Sequence, residues 1–483
     1  MFLGLDLGTS GLRGLLVSED GAPVGDCSSA YIVRSPESGW SEQAPEDWLR
    51  ACGEVLTNLR KIFPTEFSAI KGIGVSGHMH GATALNGEGE PLGPCILWND
   101  GRAWREADEL DADPAFRQIS GNIVFPGFTA PKLLWMSRHQ PEIFSRIDKV
   151  VLPKDYINFW LTGSMTTEMS DAAGTSWLDT EQRCWSDQLI ENSALRRNQL
   201  PELVEGCQPI GSVRKQIAEE FGLPLNVTVV GGAADNAAAA CGIGAVSDGL
   251  GFVSLGTSGV MLVAKDQFAP APGTAVHTFC HAIPGKWYQM GVILSATDSL
   301  NWLATNHGRE LSDLLSELPE TSEGPSSVMF FPYLSGERTP HNDANIRGAF
   351  VGLSRVSNVS DLCQAVIEGV SFAMNDCYEA IKATGTELSS VMAIGGGSAS
   401  VYWLQSLSNS LNLPLELPEK GDFGAAMGAA RLAMTGVMGV LPEEVMTRPG
   451  IVSVIEPQPA KTAAYASAYQ RYVKGYSALK EIQ

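Results

Sequence analysis

The pentapeptide Leu7-Gly8-Thr9-Ser10-Gly11 recurs as Leu255-Gly256-Thr257-Ser258-Gly259, 248 residues further along a chain of 483. Each copy follows a short apolar run (residues 2–5 and 250–253) and precedes another (12–17 and 260–264). An apolar run, a turn rich in Gly and hydroxyls and a second apolar run together read as a hairpin. One such pentapeptide is an ordinary turn. Two, half a chain apart with matching flanks, predict two related domains that each open with the same hairpin. Residues 227–230 read as a strand, and Gly231 and Gly232 turn it into a helix start at Asp235-Asn236-Ala237. The domains are therefore expected at 1–244 and 245–483.

Strand-like and helix-like segments alternate elsewhere, so the class is α/β. Residues 73–75 end at Gly77-His78-Met79-His80-Gly81, and 391–394 end at Gly395-Gly396-Gly397-Ser398. A long amphipathic helix is expected after Ser360, with Ser360 as its N-cap. Tyr465, Tyr469, Tyr472 and Tyr476 share one face of a C-terminal helix, a stripe expected to pack rather than bind. The formal net charge of −21 argues against a nucleic-acid surface or an anionic-lipid patch. It leaves an anionic substrate open, since a few local donors hold phosphate in an acidic protein. Nine cysteines without a CxxC pair predict a reducing, cytoplasmic setting. The start carries Asp6 inside its apolar stretch and no basic segment, unlike a signal peptide, and no apolar run is long enough to suggest a membrane span.

A Gly-Thr-Ser-Gly turn gathers backbone N–H groups and hydroxyls toward one point, which suits phosphate oxygens. Asp6 precedes the first tip, where the second has Ser254. A single carboxylate beside a phosphate-binding turn meets the needs of hydrated Mg²⁺, which takes few protein ligands. The chain has no GxxxxGK[ST], so it offers no P-loop. Gly395-Gly396-Gly397 reads either as a close approach to a flat ligand or as a tight turn. Asp235 reads either as a helix cap or as a general base at the rim of a sheet. His78-x-His80 and His277-x-x-x-His281 lack a third metal ligand, and His80 is better suited to hydrogen-bonding a polar ligand.

The segments GLDLGTSG, GHMHGATAL, ILWNDGR, GNIVFPGFTAPKLLW, MSDAAGTSWLD, VVGGAADNAA, SLGTSGV, FFPYLSGERTPHND and AIGGGS together resemble the FGGY carbohydrate kinases. The resemblance implies two ribonuclease-H-like domains, as in actin and hexokinase, with a central cleft. It implies sugar on the 1–244 side and ATP on the 245–483 side. Asp6 would hold Mg²⁺ through water, and Asp235 would be the general base. His78, Met79, His80, Trp98, Asn99, Asp100, Arg102, Asp235 and Asn236 would bind the sugar. Thr9, Ser10, Arg13, Gly256, Thr257 and Ser258 would meet the phosphates, with Gly396, Gly397 and Ser398 at the adenosine. The run from Met79 to Thr83 matches the members that phosphorylate D-xylulose; those members usually carry Gln where this chain has His78. Ribulose, glycerol and gluconate stay open as substrates, an actin- or chaperone-like ATPase is the rival class, and a homodimer is compatible.

Overall fold

The computed structural model describes residues 1–319, 323–419, 421 and 423–483. Both expected hairpins form: Phe2–Leu7 pairs antiparallel with Gly11–Val17, and Gly251–Leu255 with Gly259–Lys265. The duplication extends well beyond them. The first sheet runs Pro23–Ala30, Gly11–Val17, Phe2–Leu7, Gly72–Gly77, Thr228–Val230, Pro209–Ser212. The second runs Trp287–Ile293, Gly259–Lys265, Gly251–Leu255, Val391–Ile394, Leu415–Pro418, Ile451–Ile455, with His277–Cys280 added outside Trp287–Ile293. In each, the third, fourth and fifth strands are mutually parallel and the outer pairings antiparallel. Two sheets of identical strand order and direction give the paired α/β architecture.

Strand Phe2–Leu7 shows why both faces are covered. Leu3, Leu5 and Leu7 share one face and enter a core with Trp48, Val55 and Leu56 of helix Pro45–Ile62. The opposite face takes helix Ala425–Met438, which comes from the other half of the chain and also lies on Gly72–Gly77. Its approach is so close that a Cβ at Gly4 would lie 1.8 Å from the Ala426 carbonyl oxygen. Only glycine permits that contact. Helix Asp235–Gly242 packs against Ala425–Met438 in turn, and a Cβ at Gly428 would meet the Ala238 oxygen at 1.8 Å. The seam between the halves is thus backbone against backbone, and its alanines and glycines are small for that reason. Sequence order and packing differ here: a helix from the second half covers the first sheet.

Helix Val359–Lys382 begins at Asn358, not Ser360. Asn358 Oδ1 accepts from Asp361 N at 3.1 Å, and Asp361 Oδ2 accepts from Asn358 N at 2.9 Å. This reciprocal box is worth about 1 kcal/mol, and Asn caps as well as Ser, so either residue satisfied the pattern. The tyrosine stripe of helix Pro459–Ile482 packs as expected. Tyr465 and Tyr472 are fully buried, and Tyr469 OH donates to Asp376 Oδ1 at 2.6 Å. No helix among the described residues is long and apolar enough to cross a membrane.

Candidate active site

Two of the expected site residues, Asp6 and Asp235, lie at the first sheet beside the seam of helices Asp235–Gly242 and Ala425–Met438. Asp6 stands near the end of its strand and accepts a hydrogen bond from Ser76 Oγ, on the neighbouring parallel strand, at 2.7 Å. Asp235 is the first residue of helix Asp235–Gly242, after the short strand Ala233–Ala234 that continues the same sheet. It does not cap that helix, since Ala234 occupies the N-cap. Its Oδ1 instead accepts from Asn236 N at 2.7 Å and Asn236 Nδ2 at 2.9 Å. Burial raises the Asp235 carboxyl to about 7, the negative charge of Asp6 adds to the rise, and the Asn236 donors oppose it. A carboxylate poised near neutrality is suited to taking a proton.

His80 adopts a left-handed backbone (φ 69°), which is unusual for a residue with a Cβ and marks a strained, held position. Its carbonyl oxygen accepts from Thr129 Oγ1 at 3.1 Å and Lys132 Nζ at 3.0 Å. Its ring stacks on Phe128 at 4.3 Å, and Nδ1 lies 2.6 Å from the Gly174 carbonyl oxygen. Donation from Nδ1 fixes the neutral tautomer with Nε2 as an acceptor. Burial holds His80 and His78 far below the usual range, each at about 3. His78 is 2% exposed, and neither ring nitrogen has a hydrogen-bond partner among the described residues. Met79 Sδ accepts from Tyr288 OH at 3.8 Å, a contact from the second sheet to the first domain.

The remaining expected sugar-side residues divide. Trp98 is 41% exposed and donates from Nε1 to Thr9 Oγ1 at 3.1 Å, joining its loop to the first hairpin tip. Asn99 is exposed and borders a shallow surface cavity of about 490 Å³ with Trp40 and Ser41. Asp100 and Arg102 are buried against each other at 2.7 Å. Asp100 also takes the Ser41 N–H, while Arg102 bonds Glu42 and lies 3.5 Å over Trp40. The Asp100 carboxylate and the Nε and Nη2 of Arg102 are bonded inside the protein, so they shape the loop that carries Trp98.

On the phosphate side, the first tip is tied down: Gly8 O accepts from Tyr31 OH at 2.5 Å and Thr9 O from Gln43 Nε2 at 2.6 Å. Ser10 is exposed, while Arg13 Nε donates to Asp26 Oδ2 at 3.1 Å, toward the outer strand. At the second tip, the carbonyls of Gly256 and Thr257 accept from Thr297 N and Ala296 N at 2.9 and 2.8 Å. The Thr257 and Ser258 hydroxyls are exposed and make no hydrogen bond with any described residue. Gly395 turns with φ 86°, close against Leu255, and Ser398 Oγ donates back to Gly395 O at 2.6 Å. Gly396 and Gly397 follow in the same turn. Gly395 and Ser398 line a cavity of about 370 Å³ with Ile243, Leu417 and Phe423. His277 lies on strand His277–Cys280, not on a helix, so its spacing to His281 is not a helical ligand spacing.

One element escaped the residue-by-residue reading. Lys154 is fully buried, with Nζ 2.5 Å from Asp155 Oδ1, 3.5 Å from Asp171 Oδ2 and 3.6 Å from Glu168 Oε1. Burial works against its charge, but the three carboxylates outweigh it and hold the ammonium above its ordinary range. Ser170 Oγ bonds Glu168 and accepts from Ala234 N at 3.0 Å, one residue before Asp235. The network thereby braces the backbone of Asp235. Its charges lie in two separate segments, residues 151–156 and 168–171, and come together through folding.

Residues 1–242 match the N-terminal domain, and 251–437 the C-terminal domain, of the FGGY family of carbohydrate kinases. The chain belongs to that family. This FGGY kinase is 44% identical to a xylulose kinase of Escherichia coli K12 over 90% of this chain and 89% of that one. It is 41% identical to a xylulose kinase of Klebsiella pneumoniae over the whole of both chains. A solved structure described as a "xyloylose kinase" from Brucella ovis is 54% identical over the full length of both chains and superposes with a TM-score of 0.98. An FGGY kinase transfers phosphate to a carbohydrate and has ATP as its other substrate.

Proposed function

We propose that this FGGY kinase catalyses ATP + D-xylulose → ADP + D-xylulose 5-phosphate. The observation that carries the chemistry is Asp235: a carboxylate raised to about 7 beside Asp6, at the junction of the two halves. The identity of the sugar is supported by the named relatives and by the run from Met79 to Thr83. The 1–244 half supplies the sugar side and the 245–483 half the ATP side. His78, Met79, His80, Trp98, Asn99 and Asn236 contribute to the sugar pocket, with Asp100 and Arg102 acting through the loop they stiffen. Thr9, Ser10 and Arg13 belong to the first phosphate-facing tip, and Gly256, Thr257 and Ser258 to the second. Ser398, in the same turn as Gly396 and Gly397, borders the cavity assigned to adenosine.

Phosphoryl transfer asks mainly for alignment and charge neutralisation. Asp235 orients the terminal sugar hydroxyl and accepts its proton as the oxygen attacks the γ-phosphorus; ADP leaves on the opposite side. Asp6 has the chemistry to hold Mg²⁺ through water, since that ion takes few protein ligands. When bound, the ion would neutralise phosphate charge. Closure of the halves excludes water, the competing acceptor.

A panel of D-xylulose, D-ribulose, glycerol and gluconate with a coupled ADP assay tests the reading. D-Xylulose is expected to have the highest kcat/KM by at least about tenfold, since pocket contacts discriminate at that level or better. A preference for another member of the panel overturns the substrate and keeps the transfer chemistry. ATP turnover independent of every sugar overturns both.

A further inference from the structure

A cation from the ATP side faces the sugar side. Residues 333–342 are fastened to the second sheet: Thr339 N donates to Val292 O at 3.0 Å and Val292 N to Thr339 Oγ1 at 3.1 Å. Glu337 Oε1 accepts from Leu294 N at 3.1 Å and Arg338 N at 2.8 Å. The backbone of Arg338 is therefore held, yet its guanidinium makes no hydrogen bond or ion pair with any described residue. It lies over Phe125 of the first domain, 4.7 Å from the ring centre. Phe125 and Phe128 also contact His277 at 5.2 and 5.9 Å, and Phe128 stacks on His80. Arg338 is thus within electrostatic reach of both histidines and weakens both as bases.

Arg338 is half-buried and none of its guanidinium N–H groups bonds a described residue, so they are open to a ligand. Asp235 marks the end of the sugar that receives phosphate, while Arg338 reaches the Phe125, Phe128 and His80 cluster from the other half of the chain. We infer that Arg338 is a sugar-binding residue lent by the ATP-side domain, donating to the oxygens at the non-reacting, carbonyl end of a ketose beyond His80. The assignment rests on the kinase reading above. It makes the sugar a bridge between the halves, so that occupancy favours closure. A guanidinium only donates, so it matches a carbonyl oxygen, which only accepts.

The test compares Arg338→Met and Arg338→Lys with wild type on the best ketose and on its reduced polyol, with circular dichroism confirming the fold. Methionine keeps the apolar contact with Phe125; lysine keeps the charge and loses the fork. Loss of a charged hydrogen bond predicts a rise of about tenfold or more in sugar KM for Arg338→Met, with ATP KM moving less than about threefold. The ketose-over-polyol preference should shrink, and Arg338→Lys should fall between the two enzymes. A sugar KM within about threefold of wild type in both variants, or an equal rise in ATP KM, overturns the assignment. A wild type inactive on every ketose overturns the kinase reading itself, an outcome visible before any variant is made.

Discussion

Lys132 Nζ donates to the carbonyl oxygen of His80 at 3.0 Å and to that of Ile96 at 3.1 Å, from a side chain with no exposed surface. No carboxylate lies within ion-pair distance of it among the described residues. Burial lowers the ammonium to about 7, against smaller upward pulls from Cys95 and Asp100. This lysine serves as a clamp on the left-handed turn at His80, and its near-neutral value shows what that placement costs in solvation.

Lys132→Met should therefore release His80 more than it unfolds the protein. Each carbonyl oxygen loses one of its donors and keeps another, Thr129 Oγ1 at His80 and Ala82 N at Ile96, so the loss is about 1 kcal/mol per bond, partly offset by no longer burying a charge. The sugar KM should rise by about tenfold while ATP KM stays within about threefold, because only the sugar side loses a restraint. Parallel changes in both constants, from steady-state kinetics, would show that Lys132 supports the whole fold and not this turn.

The hydroxyls at the second hairpin tip give a prediction with the opposite split. Thr257→Val and Ser258→Ala remove groups that bond no described residue, so the unfolding temperature should hardly move. ATP KM or kcat should worsen by about tenfold per hydroxyl if each meets a phosphate oxygen. An ATP dependence unchanged in the double variant would take this tip out of the phosphate site.

The duplication was legible because it was written in contiguous residues. The pentapeptide at Leu7 and Leu255 implied two hairpins, and the structure extends the equivalence to six strands in each sheet. Asp6, Asp235 and His80 were legible because each adjoins a glycine turn after a strand, where backbone geometry exposes a side chain. Three things were not. Helix Ala425–Met438 covers the first sheet although it follows the second, and no local pattern reports a crossing between halves. Lys154 lies apart in sequence from Glu168 and Asp171 and meets them only after folding, so no local pattern reports their network. Arg102 came from the resemblance alone, and no local pattern showed that its Nε and Nη2 bond Asp100 and Glu42 while its plane covers Trp40.

The Lys154 network makes a stability prediction. Lys154→Met would leave Asp155, Glu168 and Asp171 buried without their cation, a loss of about 3–5 kcal/mol. The variant should unfold at markedly lower denaturant concentration, and its deficit should shrink as the pH falls and the carboxylates protonate. Burial already holds the carboxyls of Glu168 and Asp171 above their ordinary values, so that recovery should begin at mildly acidic pH. A deficit independent of pH would assign the loss to packing alone.

With Asp235 as the proposed base, its raised carboxyl predicts the pH dependence of transfer. A base must be ionised to accept a proton, so kcat/KM for the sugar should fall as pH drops through about 7, with unit slope. Asp6 raises that value by like charge, so Asp6→Asn should move the acid limb of its residual activity to lower pH. A wild-type limb near the ordinary carboxylate range would contradict the buried, like-charged environment described for Asp235.

The central claim is that Asp235 takes the proton, and Asp235→Asn tests it most directly. Asn matches Asp in size and, like it, can bond Asn236, so the sugar site should survive. Because the folded carboxyl lies above its unfolded value, ionised Asp235 destabilises the native state above pH 7. Removing that charge should raise stability at pH 8 by on the order of 1–3 kcal/mol. The decisive measurement is single-turnover phosphoryl transfer at pH 8, with sugar binding followed by calorimetry on the same sample. The account predicts binding within about threefold of wild type and transfer slower by about 10² to 10⁴. Transfer within about threefold of wild type would contradict it and leave Asp235 as a structural residue at the head of its helix.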